Sequence, residues 1–424
     1  MPPSLRAASA PASSKSSAGP SLGEGGDPRR ELLLALLRAG LAAVEGRRCV
    51  REALAAGDAP PRPVWVAAVG KAAAAMAQGA HDALPGLIER TLVITRDPPA
   101  AALPEDTELI QGAHPLPDER SLAAGAALVA FVQALPEAVT PLFLVSGGSS
   151  SLVEVLAPGA TLGKLQELNR AALAAGLAIG EFNARRRALS LIKGGQLAAR
   201  LAGRPARALF ISDVPQDDPA VIGSGIMGPA PGGADRVARR VVASSEQAVA
   251  AVAQAALGFG LRVQPPAPRF ADSVPRLAAR FAHELSLSSA QLCVWGGEST
   301  LTLPANPGRG GRNQHLALAV ARLIAGHAEL LLLAAGTDGS DGVTEDAGAL
   351  VDADTCARIA LGELDADECL RRADSARALA ASGDLVHTGP TGTNVGDLVI
   401  GLKLDAAAAA ALPGRRDAAR SRVL

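Results

Sequence analysis

Leu142-Phe143-Leu144-Val145-Ser146-Gly147-Gly148-Ser149-Ser150-Ser151 runs from four apolar residues straight into two glycines and four hydroxyls, with no charge anywhere. So short an apolar run reads as a strand buried on both faces. The loop after it offers unblocked backbone amides at the strand's carboxyl end, the edge where open α/β sheets bind ligands. Ser146, Gly147, Gly148, Ser149 and Ser150 are therefore candidates for a nest around a phosphate or carboxylate. A surface loop uses the same residues; the buried strand feeding this one favours function.

The pattern repeats on both sides of this stretch. Upstream come a strand Val64 to Val69, a helix Lys71 to Leu84, a strand Thr91 to Thr95 and a helix Ser121 to Leu135. Downstream come helices Leu162 to Leu177 and Ile192 to Leu201, a strand Arg207 to Ser212 and a helix Ser245 to Leu257. This is the rhythm of βαβ units on a parallel sheet. Pro265, Pro266 and Pro268 mark a boundary region, beyond which a helix Val274 to Leu285 is expected to pack against the first unit. A second unit follows: strands Gln291 to Trp295 and Thr300 to Leu303, helix Asn313 to Ala325, strand Leu330 to Ala334, helix Ala353 to Leu361 and a closing strand Leu398 to Leu402.

At 424 residues the chain exceeds one ordinary hydrophobic core. The expectation is an α/β protein of two domains, 28–288 and 289–405, between tails 1–27 and 406–424, with folded structure beginning at a helix Glu31 to Val44. The first tail is rich in Ala, Ser, Pro and Gly without apolar periodicity and reads as disordered. Arg6 and Lys15 precede its first acidic residue, Glu24, a feature shared with transit peptides.

Composition excludes several classes of function. Basic and acidic residues number 41 and 42, a formal net charge of -1, which leaves no electrostatic footprint for nucleic acid or anionic membrane. The richest apolar stretches, Leu32 to Leu37 and Leu330 to Ala335, are too short to span a bilayer. Cys49, Cys293, Cys356 and Cys369 never approach CxxC spacing, so neither a zinc site nor a disulfide framework is suggested. A small-molecule substrate and a cytoplasmic location are expected, and a homodimer is carried as an open expectation.

Further polar clusters stand at other strand ends. Gly70-Lys71 sets an ammonium at a strand-to-helix junction, but it is no P-loop, because Trp65 and Ala72 stand where glycine and Ser or Thr are required. Taken alone, such a lysine is usually a solvated surface charge. Asp213, Asp217 and Asp218 close another strand; hard oxygen ligands there can hold magnesium or orient a hydroxyl, and turns and caps use aspartate as readily. Gly223-Ser224-Gly225-Ile226-Met227-Gly228 matches GxGxxG but follows its strand by ten residues and runs into Pro229, so it is read as a decoy for the dinucleotide fingerprint. In the second unit, Glu298 lies in Gly296 to Thr300, and Arg312-Asn313 opens a helix where a guanidinium can grip phosphate bidentately or serve as a structural salt bridge. Thr337-Asp338 and the Thr388 to Asn394 loop, with Thr391 and Asn394, add hydroxyls, amides and a carboxylate. Of six scattered histidines, His114 lies in a polar loop and is read as structural.

Together the loops resemble the glycerate 2-kinase family, whose carboxyl-terminal part is called the MOFRL domain. The likeness runs from about Ala67 to Leu402. Its carriers are Gly70 to Ala73 with Met76, His114 to Asp118, Ser146 to Ser151, Glu181 to Asn183, Ile192 to Gly195, Ser212 to Asp218, Gly296 to Thr300, Gly310 to Gln314, Thr337 to Gly342 and Thr388 to Asn394. The resemblance implies a Rossmann-like amino-terminal domain, a smaller α/β MOFRL domain and an active site in the cleft between them. It implies transfer of the γ-phosphoryl group of ATP, with Mg2+, to D-glycerate, giving 2-phosphoglycerate. The family's active-site lysine and arginine fall on Lys71 and Arg312. Two facing cations suit phosphoryl transfer, which needs positioning and charge neutralisation more than covalent chemistry. On this reading Asp213 orients the hydroxyl and Asp217 and Asp218 hold metal.

Some positions depart from the family's usual text. Ser149 and Gln216 stand where glycine is common, Ile226-Met227 where Pro-Thr is frequent, and Ala188 where many members have histidine. Two other readings are weighed. Hydroxypyruvate reductase, a label some relatives carry, is disfavoured because a nicotinamide enzyme should show its fingerprint after the first strand. A non-catalytic sugar-acid or phosphate binder requires that these departures disable the site.

Overall fold

The computed structural model describes residues 27–58, 63–97, 102–104, 106–175, 179–233 and 235–412, with residues 58, 171–175 and 179–183 described by backbone alone. Residues 1–26, where the disorder and transit-peptide readings fall, and residues 413–424 lie outside the described residues.

Six strands form the first sheet: β1 (Val64–Val69), β2 (Ile88–Thr95), β3 (Thr107–Gln111), β4 (Thr140–Val145), β5 (Ala206–Ile211) and β6 (Val237–Ala243). All pair in parallel, in the order β3-β2-β1-β4-β5-β6. The order reverses between β1 and β4, so the loops leaving these two strands diverge and open a crevice. Helices cover both faces of the central strands. Val66, Ala67 and Ala68 of β1 are accordingly buried in succession, without alternation. The edge strands β3 and β6 keep polar, exposed positions, which hid them from a search for apolar runs.

The expected helix Ile192 to Leu201 shrinks to the single turn Gln196–Ala199. Gly194 and Gly195 before it adopt left-handed φ of 58° and 79°, and a Cβ on Gly195 would lie 1.9 Å from the Pro229 carbonyl oxygen. The helix Ile179–Ala188 had no counterpart in the expectation.

The second sheet contains β7 (Phe270–Ser273), β8 (Leu292–Thr300), β9 (Leu330–Gly336), β10 (Gly348–Asp352), β11 (Leu385–Val386) and β12 (Asp397–Lys403), ordered β11-β10-β9-β12-β8-β7. Only β7 and β8 run parallel. The two strands expected at Gln291 to Leu303 are one strand, β8, which ends at Thr300.

The expectation that the helix after the prolines packs on the first unit is corrected by the core it joins. Helix Val274–Leu287 joins the core of the second sheet, where Phe281 stacks on Trp295 with ring centroids 4.6 Å apart. On the opposite face, helices Pro28–Ala43 and Ser245–Gly258 bury Leu33, Leu36, Leu37 and Val252 against Leu331, Leu333 and Ile400. Arg30 ties the first helix down by ion pairs to Asp352 (2.5 Å) and Asp384 (2.7 Å). The cause is that this sheet is apolar on both faces and needs helices on both. Helix Val274–Leu287 and the segment after β8 supply one layer, and helices from farther back in the chain supply the other. The expected tail from residue 406 begins as a helix, Ala406–Ala410, capped by Asp405. Among the described residues no helix is long and apolar enough to cross a membrane.

Candidate active site

The loops leaving β1 and β4 are laced together. Ser146 N–H donates to the Val69 carbonyl (3.0 Å), and Lys71 N–H donates to that of Gly147 (2.9 Å). The Ser146 hydroxyl accepts from Ala72 N–H (3.0 Å), so it joins the loops. Gly70 permits the approach: its φ is 134°, and a Cβ would lie 2.1 Å from Ser146 Oγ.

From this junction Lys71 reaches across to the second sheet, where its Nζ donates to Asp338 Oδ2 at 2.6 Å. Burial alone would raise the Asp338 pKa; the ammonium more than offsets it and holds the carboxyl below its ordinary range. Asp338 Oδ1 accepts from Ser340 N–H (3.0 Å). Both ends of the ion pair are thus fixed.

The glycines after β4 sit where several segments meet. A Cβ on Gly147 would lie 2.0 Å from Asn394 Nδ2 and 2.1 Å from Asp213 Oδ2, while one on Gly148 would lie 3.1 Å from the Lys71 stem and 3.3 Å from the His114 ring. Among the described residues neither Gly147 N–H nor Gly148 N–H has a protein partner, which leaves two adjacent donors for an anion. Ser149 Oγ is sealed without a partner, and Ser150 Oγ pairs with Ser224 Oγ at 2.9 Å. These two hydroxyls therefore point into the fold.

Asp213 follows β5 and accepts weakly from Asn394 Nδ2 (3.3 Å). Its pKa is pushed up to about 6, chiefly by burial and then by the charge of Glu298, with Lys71 opposing. Asp213 therefore feels Lys71 from one unit and, from the other, the partner of Arg312. Arg312 donates to Glu298 Oε1 at 2.6 Å and stands 3.7 Å from Asp397 Oδ2. Asn313 Nδ2 donates to Asp397 Oδ1 (2.9 Å), which secures the carboxylate beside the guanidinium. Asp341 accepts from the N–H groups of Asn313 (3.1 Å) and Gln314 (2.7 Å) and so anchors the start of helix Arg312–Leu323. Burial pushes Asp341 up to about 7 despite those amides. Thr337 Oγ1 donates to the Gly396 carbonyl (2.6 Å) and Thr391 Oγ1 to that of Thr337, so both threonines brace the loops that carry Asp338 and Asn394.

The structure thus gathers Lys71, Asp338, Gly147, Gly148, Asp213 and Asn394, and sets Arg312 and Glu298 next to them. Asp217 and Asp218 do other work: Asp217 is ion-paired with Arg269 (2.9 Å) and Asp218 accepts from Ala220 N–H (2.8 Å). These contacts are turn chemistry, the alternative that the sequence left open for both residues. Among the described residues no group of three or more His, Cys, Asp or Glu is arranged to hold a metal.

Sequence reasoning set aside His114, named Asp341 only within its loop Thr337 to Gly342, and passed over Arg96 and Asp397. Arg96 follows β2 and reaches Ser340 Oγ at 3.4 Å. His114 follows β3 by three residues, and recognising that edge strand would have marked it as a strand-end residue.

Two family profiles match the chain: a domain of unknown function (DUF4147) over residues 32–257 and the MOFRL family over residues 291–397. The D-glycerate 2-kinase of Thermotoga maritima is 34% identical over 412 residues, an alignment spanning 88% of this chain and 98% of that protein. The chain belongs to the glycerate 2-kinase family. A crystal structure of the glycerate kinase from Thermotoga maritima matches with a TM-score of 0.78 at 31% identity, covering 89% of this chain and all of that one. A relative from Agrobacterium vitis, 35% identical over 80% of this chain and 87% of its own length, bears the name hydroxypyruvate reductase only provisionally. The family's two-domain α/β architecture is the one described above.

Proposed function

We propose that this kinase transfers the γ-phosphoryl group of ATP to the 2-hydroxyl of D-glycerate in the crevice between the two sheets. The observation that carries the reading is the Lys71–Asp338 ion pair at the β1/β4 reversal point, with Asp213 under the charge of Lys71 and of Glu298, the partner of Arg312. An ammonium and a guanidinium from opposite units can grip one migrating phosphate and neutralise the charge that spreads over it. The unpaired amides of Gly147 and Gly148 add fixed donors beside Lys71.

Lys71 exchanges Asp338 for a phosphate or carboxylate oxygen when substrate enters, and Asp338 then retains its bond from Ser340. Asp213, with its pKa near 6, is ionised at neutral pH yet basic enough to orient the glycerate hydroxyl and draw its proton. Magnesium keeps water and phosphate oxygens as most of its ligands and needs only one or two carboxylates from a protein. That demand fits a cleft with Glu298 and Asp338 beside the clamp and no ready-made cage; the ion would neutralise charge on the nucleotide phosphates.

The test is incubation of purified protein with ATP, magnesium and D-glycerate, followed by phosphorus NMR of the product. The 2-phosphoglycerate signal with stoichiometric ADP is expected. A 3-phosphoglycerate signal rejects the regiochemistry, and absence of ADP release together with NADH oxidation on hydroxypyruvate rejects the kinase.

A further inference from the structure

His114 belongs to the loop Gly112-Ala113-His114 that leaves β3. The loop is fixed where Gly112 N–H donates to the Thr95 carbonyl (3.0 Å) and where a Cβ on Gly112 would lie 2.3 Å from the Leu152 carbonyl oxygen. This close approach holds the His114 ring over Gly148, beside the Lys71 stem. The ring's two nitrogens differ. Nδ1 is sealed from solvent and has no hydrogen-bond partner, whereas Nε2 keeps solvent access.

A buried N–H with no acceptor is rarer and costlier than a buried acceptor with no donor. The single proton of a neutral ring therefore belongs on Nε2. The charges that bear most on the ring are those of Lys71, Arg96 and Arg186, opposed by Asp338. Burial first, and those cations next, push the imidazole down to about 3, so it stays neutral throughout the physiological range.

We infer that His114 is a substrate-contacting residue of this kinase, a neutral imidazole whose Nε2–H donates to an anionic oxygen of the substrate held at Lys71. The inference rests on the kinase reading above and adds a residue to it. The oxygen belongs either to the glycerate carboxylate or to the nucleotide phosphates, which share the same chemistry. A neutral donor suits the position because it steadies negative charge without adding a third cation to a crowded cleft. It also cannot remove the hydroxyl proton, which leaves that task to Asp213.

Three variants and one spectrum test this. His114→Phe keeps the ring's bulk and lacks the donor; its kcat/KM is expected to fall roughly 10- to 100-fold, the usual effect of losing a hydrogen bond to a charged group. His114→Gln, whose side-chain amide nitrogen falls near the position of Nε2, is expected to recover most of that loss, and His114→Ala is expected to lose as much as His114→Phe. A rise in KM confined to glycerate assigns the carboxylate; a rise confined to ATP, or a fall in kcat alone, assigns the phosphates. Nitrogen-15 NMR of the wild-type protein should show an Nε2–H ring, neutral from pH 5 to 8, whose Nε2 signal shifts when D-glycerate or ADP is added. The spectrum needs no turnover, so it judges His114 even where the ATP assay fails. The proposal is overturned by His114→Phe activity within twofold of wild type, by His114→Gln no better than His114→Phe at equal Tm, by an Nδ1–H ring, or by no shift with either ligand.

Discussion

Lys71 and Arg312, the two cations of the proposed clamp, are held in opposite ways. The partner of Lys71 comes from the other unit, and the pair is largely enclosed, with side chains 19% and 10% exposed. The partners of Arg312, Glu298 and Asp397, belong to its own unit, and the Arg312–Glu298 pair is 38% and 47% exposed. The first arrangement couples the lysine to the approach of the two sheets. The second keeps the arginine oriented whatever the crevice does.

Replacing Lys71 breaks this comparison most severely. Lys71→Ala is expected to lower turnover by roughly 10³-fold or more, as loss of a cation at a transferring phosphoryl group does elsewhere. The change also carries a folding cost: Asp338 would be left enclosed without its cation, at roughly 1–3 kcal/mol. Pairing the change with Asp338→Asn is expected to restore Tm and leave turnover low. Recovery of turnover along with Tm would show that the lysine acts only as a brace.

Arg312→Ala should cost roughly 10²- to 10³-fold in kcat and, because its main ion pair is half in water, less than about 1 kcal/mol of stability. A denaturant midpoint that falls as far for Arg312→Ala as for Lys71→Ala would erase the distinction. Asp213 feels the charges of Lys71 and Glu298, and its expected effect is smaller, roughly 10²-fold in kcat for Asp213→Asn at pH 7. The sign with pH follows from its raised pKa of about 6. The folded state holds the proton more tightly than the unfolded one, so stability falls as pH rises from about 3.8 through 6. Activity runs the other way, absent below about 6 and present above. Asp213→Asn should therefore lose turnover while gaining roughly 1–2 kcal/mol at neutral pH, measured by denaturant titration beside a kcat profile. A loss of both would make Asp213 a structural residue.

The central strands were legible because they are buried on both faces, so β1, β4 and β5 stand out as apolar runs. Edge strands were not, and β3 took His114 with it. The sheet that each helix covers was hidden for a different reason. Contiguity in sequence assigned Leu33 and Val252 to the first unit, whereas burial places both against the second sheet, and nothing in a local pattern says which sheet an amphipathic helix will cover. Lys71 and Arg312 rested on motif resemblance, since a lone lysine or arginine carries no signal of its own. What sequence could not separate was a hydroxyl that faces a ligand from one that braces a loop. Ser146, Ser150, Thr337 and Thr391 each brace a loop in this structure.

The smallest effect concerns the turn that follows Asp213. Gln216 and Asp217 have φ of 64° and 53°, in the left-handed region that favours glycine, and Gln216 stands where the family commonly has glycine. A non-glycine residue there costs roughly 1 kcal/mol, while glycine adds freedom to the unfolded chain. Gln216→Gly is therefore expected to raise stability by no more than about 0.5 kcal/mol, a Tm increase of a degree or so by calorimetry. The same change should leave the Arg269–Asp217 pair in place. The turn would then relax without releasing Asp213, and kcat should stay within about twofold of wild type. A larger drop in kcat would mean that the strained turn aims the Asp213 carboxylate, and would move this position from local backbone fit into the positioning of the reacting hydroxyl.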